Sequence, residues 1–533
     1  MVTRNVARQA AGQATRPMMA TLAPAARRAG RAARKAAGLR GRDTPGELGH
    51  AALQAAKGLL GRSGERMTKV DTAWLHMDSP GNLMMIVGVW TIKPTIQYPE
   101  LCRRVEERLL RFDRFRQRVD EGAAGASWCE DAEFDIARHV VREKLPRKGR
   151  DRQQAALQAR VAELAMRPMD RRHPLWQFHL VEDYEGGSAL IARIHHCIAD
   201  GIALISVTMS LVDGGASPPP RKRSQAAVDA EEWISKTLVK PVTDLALKAL
   251  GAAGGGAVRS LRLLLDPQKG VTGTLGLGRL AYQVACDAAA LALMPDDSPT
   301  RLKGKPGTSK RVAWCQPIPL DEVKAVGKAL NCSVNDVLLS CVAGAIGAYL
   351  QSLGDDTTGQ EIRAMIPVNL RTAEHAHELG NRFGLAPLVL PIGVDNPVER
   401  VYEVRRRMNA LKGSTQPLLA FGLLALAGVL IKPAQEAMLN VFGRKTTAVV
   451  TNVPGPREKL KLLGSTLEQC MFWVPQSGDV GLGVSILSYG GGVQFGVISA
   501  ASLCPEPQKI IDEFEPEFGK LAWLTLMLPW DRH

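Results

Sequence analysis

His195-His196-Cys197-Ile198-Ala199-Asp200-Gly201, a run of the form H-H-x-x-x-D-G, decides how this chain of 533 residues is read. Ser188-Ala189-Leu190-Ile191-Ala192-Arg193-Ile194 just before it predicts a buried strand, and Ile202 to Val212 just after it predicts the start of an apolar helix. Two imidazoles therefore stand where a strand ends and a helix begins, a common place for side chains to face a cleft. Adjacent strand residues point to opposite faces, so at most one His serves a given cleft and the other packs or hydrogen-bonds internally. Imidazole has the unperturbed pKa nearest neutrality, which suits it to abstracting a proton. Asp200 can cap the helix through its carboxylate, and Gly201 tolerates unusual backbone angles at the turn. A lone His at a strand end is more often structural than catalytic, so the spacing supports one base and not a paired site. Zinc is disfavoured and no metal is expected, because H-E-x-x-H is absent and no two Cys have x-x spacing.

A chain of this length exceeds one ordinary core, so two or more domains are expected. A hydrophobic content of 45% with 23% charged residues fits a soluble globular protein. The nine Cys are scattered and odd in number, which argues for free thiols in a reducing compartment. No compact apolar segment precedes a cleavage site, so a secretory signal peptide is not expected. The formal net charge of +15 is uneven: residues 1–42 hold ten Arg or Lys and no Asp or Glu, leaving +5 for the rest. That Ala/Arg-rich stretch reads as a solvated arm, as a basic helix on an anionic membrane or nucleic acid, or as a Ser-poor transit peptide. Leu418 to Ile431 is apolar for 14 positions, too short to span a bilayer, and reads as a core helix or, less favoured, an interfacial one.

Strand and helix patterns alternate throughout, favouring an α/β or α+β class. A folded region opens with Trp74, Asp78 and an apolar strand Leu83–Trp90. A helix follows around Tyr98–Phe112, and another at Gln153–Ala165. Leu175–Asp183, the turn Glu185-Gly186-Gly187 and Ser188–Ile194 form a hairpin leading into the His pair. Pro218-Pro219-Pro220 stops any helix, and residues 225–300 read as a helical connector. Beyond Arg311 come a helix at Ser333–Leu350 with Ser333 as cap, and strands at Glu361–Leu370, Thr446–Val453, Val480–Ser488 and Val493–Ser499. The expected division is a basic tail at 1–66, a first domain at 67–215, the connector at 216–300 and a second domain at 301–533. The G-x-S-x-G esterase signature is absent.

Several motifs in order resemble the bacterial wax ester synthase/diacylglycerol acyltransferase family, over roughly residues 67–527. Pro174-Leu175-Trp176 precedes the His pair, and Asn335-Asp336 opens the second-half helix. Pro367-Val368-Asn369-Leu370-Arg371, Gly380-Asn381-Arg382-Phe383-Gly384, Thr451-Asn452-Val453-Pro454-Gly455-Pro456 and Ser488-Tyr489 follow. One departure is Ser499-Ala500-Ala501, where the family tends to carry an Asp after the last strand.

The resemblance implies two chloramphenicol-acetyltransferase-like domains with an active-site channel between them. It implies an acyl-CoA:alcohol O-acyltransferase making wax esters or triacylglycerol, with acyl-CoA as co-substrate, a long-chain alcohol or diacylglycerol as acceptor, and no other cofactor. By the same resemblance His196 is the general base beside His195. Asp200 is structural, with Arg371 as its ion-pair partner. Asn335 either lines the channel, bonding an oxyanion, or caps its helix. Pro174-Leu175-Trp176 is expected to pack. A cytoplasmic location is implied, peripheral to the inner membrane face or to lipid inclusions. Nucleic acid is disfavoured as a partner, and the oligomeric state is left open. The alternatives are an acyltransferase acting on a polyketide alcohol or an amine, and a silent lipid-droplet or membrane-binding relative. The intact His pair and Asp200 count against silence.

Overall fold

The Trp176–Tyr184 and Gly187–His195 strands form the hairpin that delivers the His pair, and its turn follows from two residues with positive φ, Glu185 at 49° and Gly186 at 75°. Such a two-residue turn matches the natural twist of the strands it joins. Gly187 is required by close approach, since a Cβ there would fall on the carbonyl oxygen of Ile92 in the neighbouring strand.

The computed structural model describes residues 65–122, 125–146, 150–215, 294–370, 379–412 and 443–527, with single positions between 416 and 435. Residues 1–42, most of the expected connector, Arg371 and nearly all of Leu418–Ile431 lie outside the described residues. The chain divides into two units. In the first, residues 1–66 and 120–129, Glu65 pairs with Trp128 and Arg66 with Ser127, antiparallel. The second, residues 67–119 and 130–533, carries two large sheets and all the motifs named above.

The first large sheet has six strands in the order Lys461–Leu462, Ser465–Trp473, Met85–Lys93, Gly187–His195, Trp176–Tyr184 and Val140–Glu143. Two of these come from beyond residue 460, so the second half of the chain completes the sheet of the first. Ser465–Trp473 pairs antiparallel with Met85–Lys93, with a register shift between Leu467 and Gln469. The tight turn at Leu463-Gly464 is held by Asp213, which follows the helix Gly201–Leu211. Its Oδ1 accepts from Leu463 N at 3.1 Å and its Oδ2 from Gly464 N at 2.7 Å.

The second large sheet runs Phe383–Leu390, Ile362–Asn369, Ala448–Pro454, Leu482–Tyr489, Gly492–Ala500 and Lys310–Trp314, with Ile318–Pro319 added on Gly492–Ala500. Its central pairs are parallel, and all nine residues of Gly492–Ala500 are buried, as expected of strands covered on both faces. The helix Val334–Ser352 is capped by Ser333, which exchanges bonds with Asp336 in a capping box. By length and composition this helix could cross a membrane, but 78% of its apolar stretch is buried inside the protein, which makes it a core helix. It packs with Pro507–Leu526 and Pro397–Lys412 around one apolar cluster.

Inside that cluster Arg400 meets Glu517. The Arg400 guanidinium also donates to Ser340 O at 3.1 Å and Val394 O at 2.8 Å. Gly344 makes room for the pair, because a Cβ there would strike both Glu517 Oε2 and the Arg400 guanidinium. Removing one partner of a buried pair costs about 3–5 kcal/mol, whereas replacing both by apolar groups is often neutral. Arg400→Met is therefore expected to lower the urea midpoint strongly, and Arg400→Met with Glu517→Leu to recover most of the loss. Equal losses in both variants would show that packing and not charge pairing governs this site.

Candidate active site

The two imidazoles take opposite roles as soon as their partners are traced. His195 ends its strand, and its Nδ1 accepts from Cys197 N at 3.2 Å, so its proton sits on Nε2, which donates to Asp78 Oδ1 at 3.3 Å. Asp78 also accepts from Met84 N at 2.7 Å and lies 3.4 Å from Arg171. Burial pushes the Asp78 carboxyl up, but His195, Met84 N and Arg171 outweigh it and hold it below its usual range. His195 is thus consumed in internal bonds.

His196 is anchored by its own N–H on Met84 O at 2.7 Å. Its ring lies parallel to Trp74, centroids 4.0 Å apart and 13° between planes, with Phe383 5.5 Å away. Its Nδ1 faces Asn381 Oδ1 at 2.8 Å. The orientation of that amide is settled by its other end: Asn381 Nδ2 meets His196 O at 2.8 Å and Asp71 Oδ1 at 2.8 Å. A carbonyl oxygen only accepts, so the NH₂ group lies there and the amide oxygen faces the ring. His196 Nδ1 therefore carries the proton and Nε2 the lone pair. No hydrogen bond to Nε2 is formed among the described residues. Burial pushes the imidazole down to about 4, so the ring is neutral across the physiological range.

Asp200 caps the helix Gly201–Leu211, accepting from Ala203 N at 3.0 Å. Its second oxygen accepts from Arg382 N at 2.9 Å, and its own N–H reaches Gly380 O at 3.3 Å. The expected Arg371 pairing falls outside the described residues, and a backbone N–H from the second half occupies one carboxylate oxygen. Gly201 departs from expectation. Its φ is not positive and a Cβ there would meet nothing within 4 Å, since the first residue of a helix has ordinary backbone angles.

Asn335 does not cap its helix, because Ser333 and Asp336 do. Its Oδ1 accepts from Asn452 Nδ2 at 2.8 Å, and no hydrogen bond joins it to His196 among the described residues. Trp176 packs, fully buried, with its Nε1 on Phe115 O at 2.9 Å. Asn381 and Asp71 escaped sequence reasoning as functional residues. The only signal for Asn381 was its place in the Gly380–Gly384 motif.

Burial pushes the Cys197 thiol well above its usual value, so no thiolate stands beside the imidazoles. Among the described residues no cluster of three or more His, Cys, Asp or Glu could hold a metal ion. A groove lined by Glu361, Arg363, Leu388, Arg406 and Leu411 contains none of the motif residues. Chemically, the site offers one neutral, oriented imidazole stacked on Trp74, its Nε2 lone pair unbonded among the described residues.

The wax ester synthase/diacylglycerol acyltransferase catalytic domain matches residues 67–338, and the C-terminal domain of the same family matches residues 379–522. The chain is 27% identical over 473 residues to the protein named probable diacylglycerol O-acyltransferase tgs1 of Mycobacterium tuberculosis H37Rv, covering 86% of this chain and 96% of that one. It is 26% identical over 476 residues to the one named tgs2, covering 85% and 97%. Its fold matches the wax ester synthase/diacylglycerol acyltransferase of Marinobacter aquaeolei VT8 with a TM-score of 0.58 at 19% identity, over 87% of this chain and 100% of that one. The first condensation domain of the calcium-dependent antibiotic synthetase matches at 0.53 and 13% identity, over 87% and 96%. The chain belongs to the wax ester synthase/diacylglycerol acyltransferase family and is an acyltransferase, with the two-domain chloramphenicol-acetyltransferase-like fold.

Asp200→Asn is expected to lower the unfolding midpoint, because an amide cannot accept from both Ala203 N and Arg382 N. An unsatisfied buried group costs about 1–3 kcal/mol. A midpoint equal to wild type would remove the structural role assigned to this carboxylate.

Proposed function

We propose that the chain transfers an acyl group from acyl-CoA to the hydroxyl of a long-chain alcohol or diacylglycerol, with His196 as general base. The observation that carries this is the tautomer: Nδ1–H is held by Asn381, so Nε2 presents its lone pair. A thioester is an activated donor, and no covalent enzyme intermediate is needed. The acceptor hydroxyl gives its proton to His196 Nε2 as its oxygen attacks the thioester carbonyl. The tetrahedral intermediate collapses with cleavage of the C–S bond. The leaving thiolate takes the proton back from Nε2, releasing ester and free CoA. Asn335 is the candidate donor to the oxyanion, its amide NH₂ carrying no bond among the described residues. The reaction uses no cofactor beyond the co-substrate. A solved relative of the same fold, the starter condensation domain of rhizomide synthetase, is described in complex with C8-CoA, which supports an acyl-CoA site.

The acceptor and the ester product are lipids, so we place the enzyme at the cytoplasmic membrane face or on lipid inclusions. The ten cationic residues of 1–42 supply the attraction. Deleting residues 1–42 is expected to abolish salt-sensitive sedimentation with anionic liposomes while leaving turnover on detergent-dispersed substrate unchanged. Sedimentation that survives the deletion would assign docking elsewhere.

The direct test is chromatography of lipid products from purified protein with palmitoyl-CoA and either hexadecanol or diacylglycerol. His196→Ala is expected to lose about 10²–10⁴-fold in turnover with the fold intact. Wild-type turnover in that variant would refute the base assignment. The acid limb of kcat/KM is expected near pH 4, since the base must be neutral. Stability follows the same group: unfolded His binds protons below about 6.5 and the buried ring does not. His196 therefore stabilises the fold fully above that value and progressively less as pH falls toward about 4.

A further inference from the structure

We propose that Asn381 and Asp71 are positioning residues for His196: the buried chain Asp71–Asn381–His196 fixes the working tautomer and stabilises the imidazolium formed when Nε2 takes a proton. This rests on His196 being the base. All three side chains are buried, Asp71 at 1%, Asn381 at 5% and His196 at 3% exposure, so water cannot substitute for any of the three bonds. The bonds are 2.8 Å each and leave Asn381 no freedom, since its oxygen meets the ring and its NH₂ is divided between Asp71 Oδ1 and His196 O. Asp71 Oδ2 has no hydrogen bond among the described residues, so its bonded oxygen, Oδ1, is the side that faces the relay. A carboxylate behind the amide polarises Asn381 and makes its oxygen a better acceptor as positive charge grows on the ring. The imidazole stacks on Trp74, which Phe383 also contacts, and an imidazolium over an aromatic face gains further attraction. The charged and titratable groups around this chain are Asp200 and His195 beside His196, and Arg114 and Cys197 beside Asp71; burial pushes the Asp71 carboxyl up, opposed by Arg114 and by its bonds to Asn381 and Thr68. Asp200 acts in the same direction as Asp71, and His195 opposes it.

The test uses the full chain with palmitoyl-CoA and hexadecanol, measuring kcat, KM and pH profile, with thermal unfolding to establish folding. Asn381→Ala is expected to lose about 10²-fold or more in kcat with KM for palmitoyl-CoA little changed, because a ring with the wrong tautomer has no base. Asp71→Asn keeps an acceptor oxygen for Asn381 Nδ2 and removes the charge, with its attraction to Arg114. It is expected to fold and to lose about tenfold in kcat, and it decides the matter if Asn381→Ala does not fold. The exchange Asp71→Asn with Asn381→Asp places the carboxylate directly on His196 Nδ1–H. It is expected to turn over faster than Asn381→Asp alone and to move the acid limb upward from about 4. Wild-type kcat in Asp71→Asn, or an acid limb unmoved in the exchange, would overturn the proposal. An active His196→Ala would instead overturn the base assignment. An inactive His196→Ala beside wild-type Asn381→Ala and Asp71→Asn would overturn the relay alone.

Discussion

The segment Gly380-Asn381-Arg382 is stitched to the H-H-x-x-x-D-G turn by four hydrogen bonds, with a fifth to Asp71, and the site depends on that stitch. Asn381 takes His196 Nδ1 and gives to His196 O and Asp71, while Asp200 takes Arg382 N and gives to Gly380 O. Each bond links residues some 180 or more positions apart, or 310 in the case of Asp71. A net gain of about 1 kcal/mol per buried bond matters less here than the cost of leaving any of these groups unpaired. The turn therefore has one geometry, and the imidazole orientation is a consequence of folding the second half onto the first.

Two further fastenings keep that geometry from drifting. The crossover strand Ser465–Trp473 sits beside Met85–Lys93, which in turn pairs Met85 with His195. Asp213 grips the turn at the far end of the same crossover, through two backbone N–H groups and Arg104 at 2.8 Å. On the near side, Lys310 of the second sheet buries its ammonium between Asn82 Oδ1 and Gln476 Oε1, and burial alone pushes it down to about 7. Asn82 closes the Ser79–Asn82 turn two residues before Met84, whose carbonyl holds His196 N. The loop that supports the imidazole is thus tied to the second half by an amide–ammonium contact as well as by strand pairing.

Local patterns made much of this legible. The His hairpin, its turn and the helix behind it were readable because apolar runs, a Glu-Gly-Gly stop and a capping Asp all act within a few residues. Ser333 was readable as a cap for the same reason. Asn381 was not, because nothing in a single polar residue among glycines says which distant ring it will meet. Charge is visible in a sequence, which made Arg371, outside the described residues, a candidate partner for Asp200; the Arg382 backbone N–H that meets Asp200 belongs to every residue type but proline and leaves no such signal. Gly201 suggested a strained turn, yet its backbone is ordinary and space stands open above it. The crossover strand lacked a clean alternation, and its register shift near Leu467 shows why a period of two would not persist there.

A ring pushed down to about 4 is a weak base in water, and burial that depresses it also removes the ordinary stabilisation of charge. The penalty applies to an isolated imidazolium. On the proposed mechanism the proton arrives from a hydroxyl whose oxygen becomes negative at the same moment, so the site gains a pair of opposite charges and no net charge. At short range in a poorly solvated pocket such a pair attracts far more strongly than in water. Asp71 is joined through Asn381 to the side of the ring that carries Nδ1–H, and the nearby Asp200 carboxylate favours the positive partner. The burial that holds His196 neutral while the site waits is therefore the condition under which the reacting pair is worth most, and the Asn381 bond is what keeps the lone pair on the nitrogen left open to receive it.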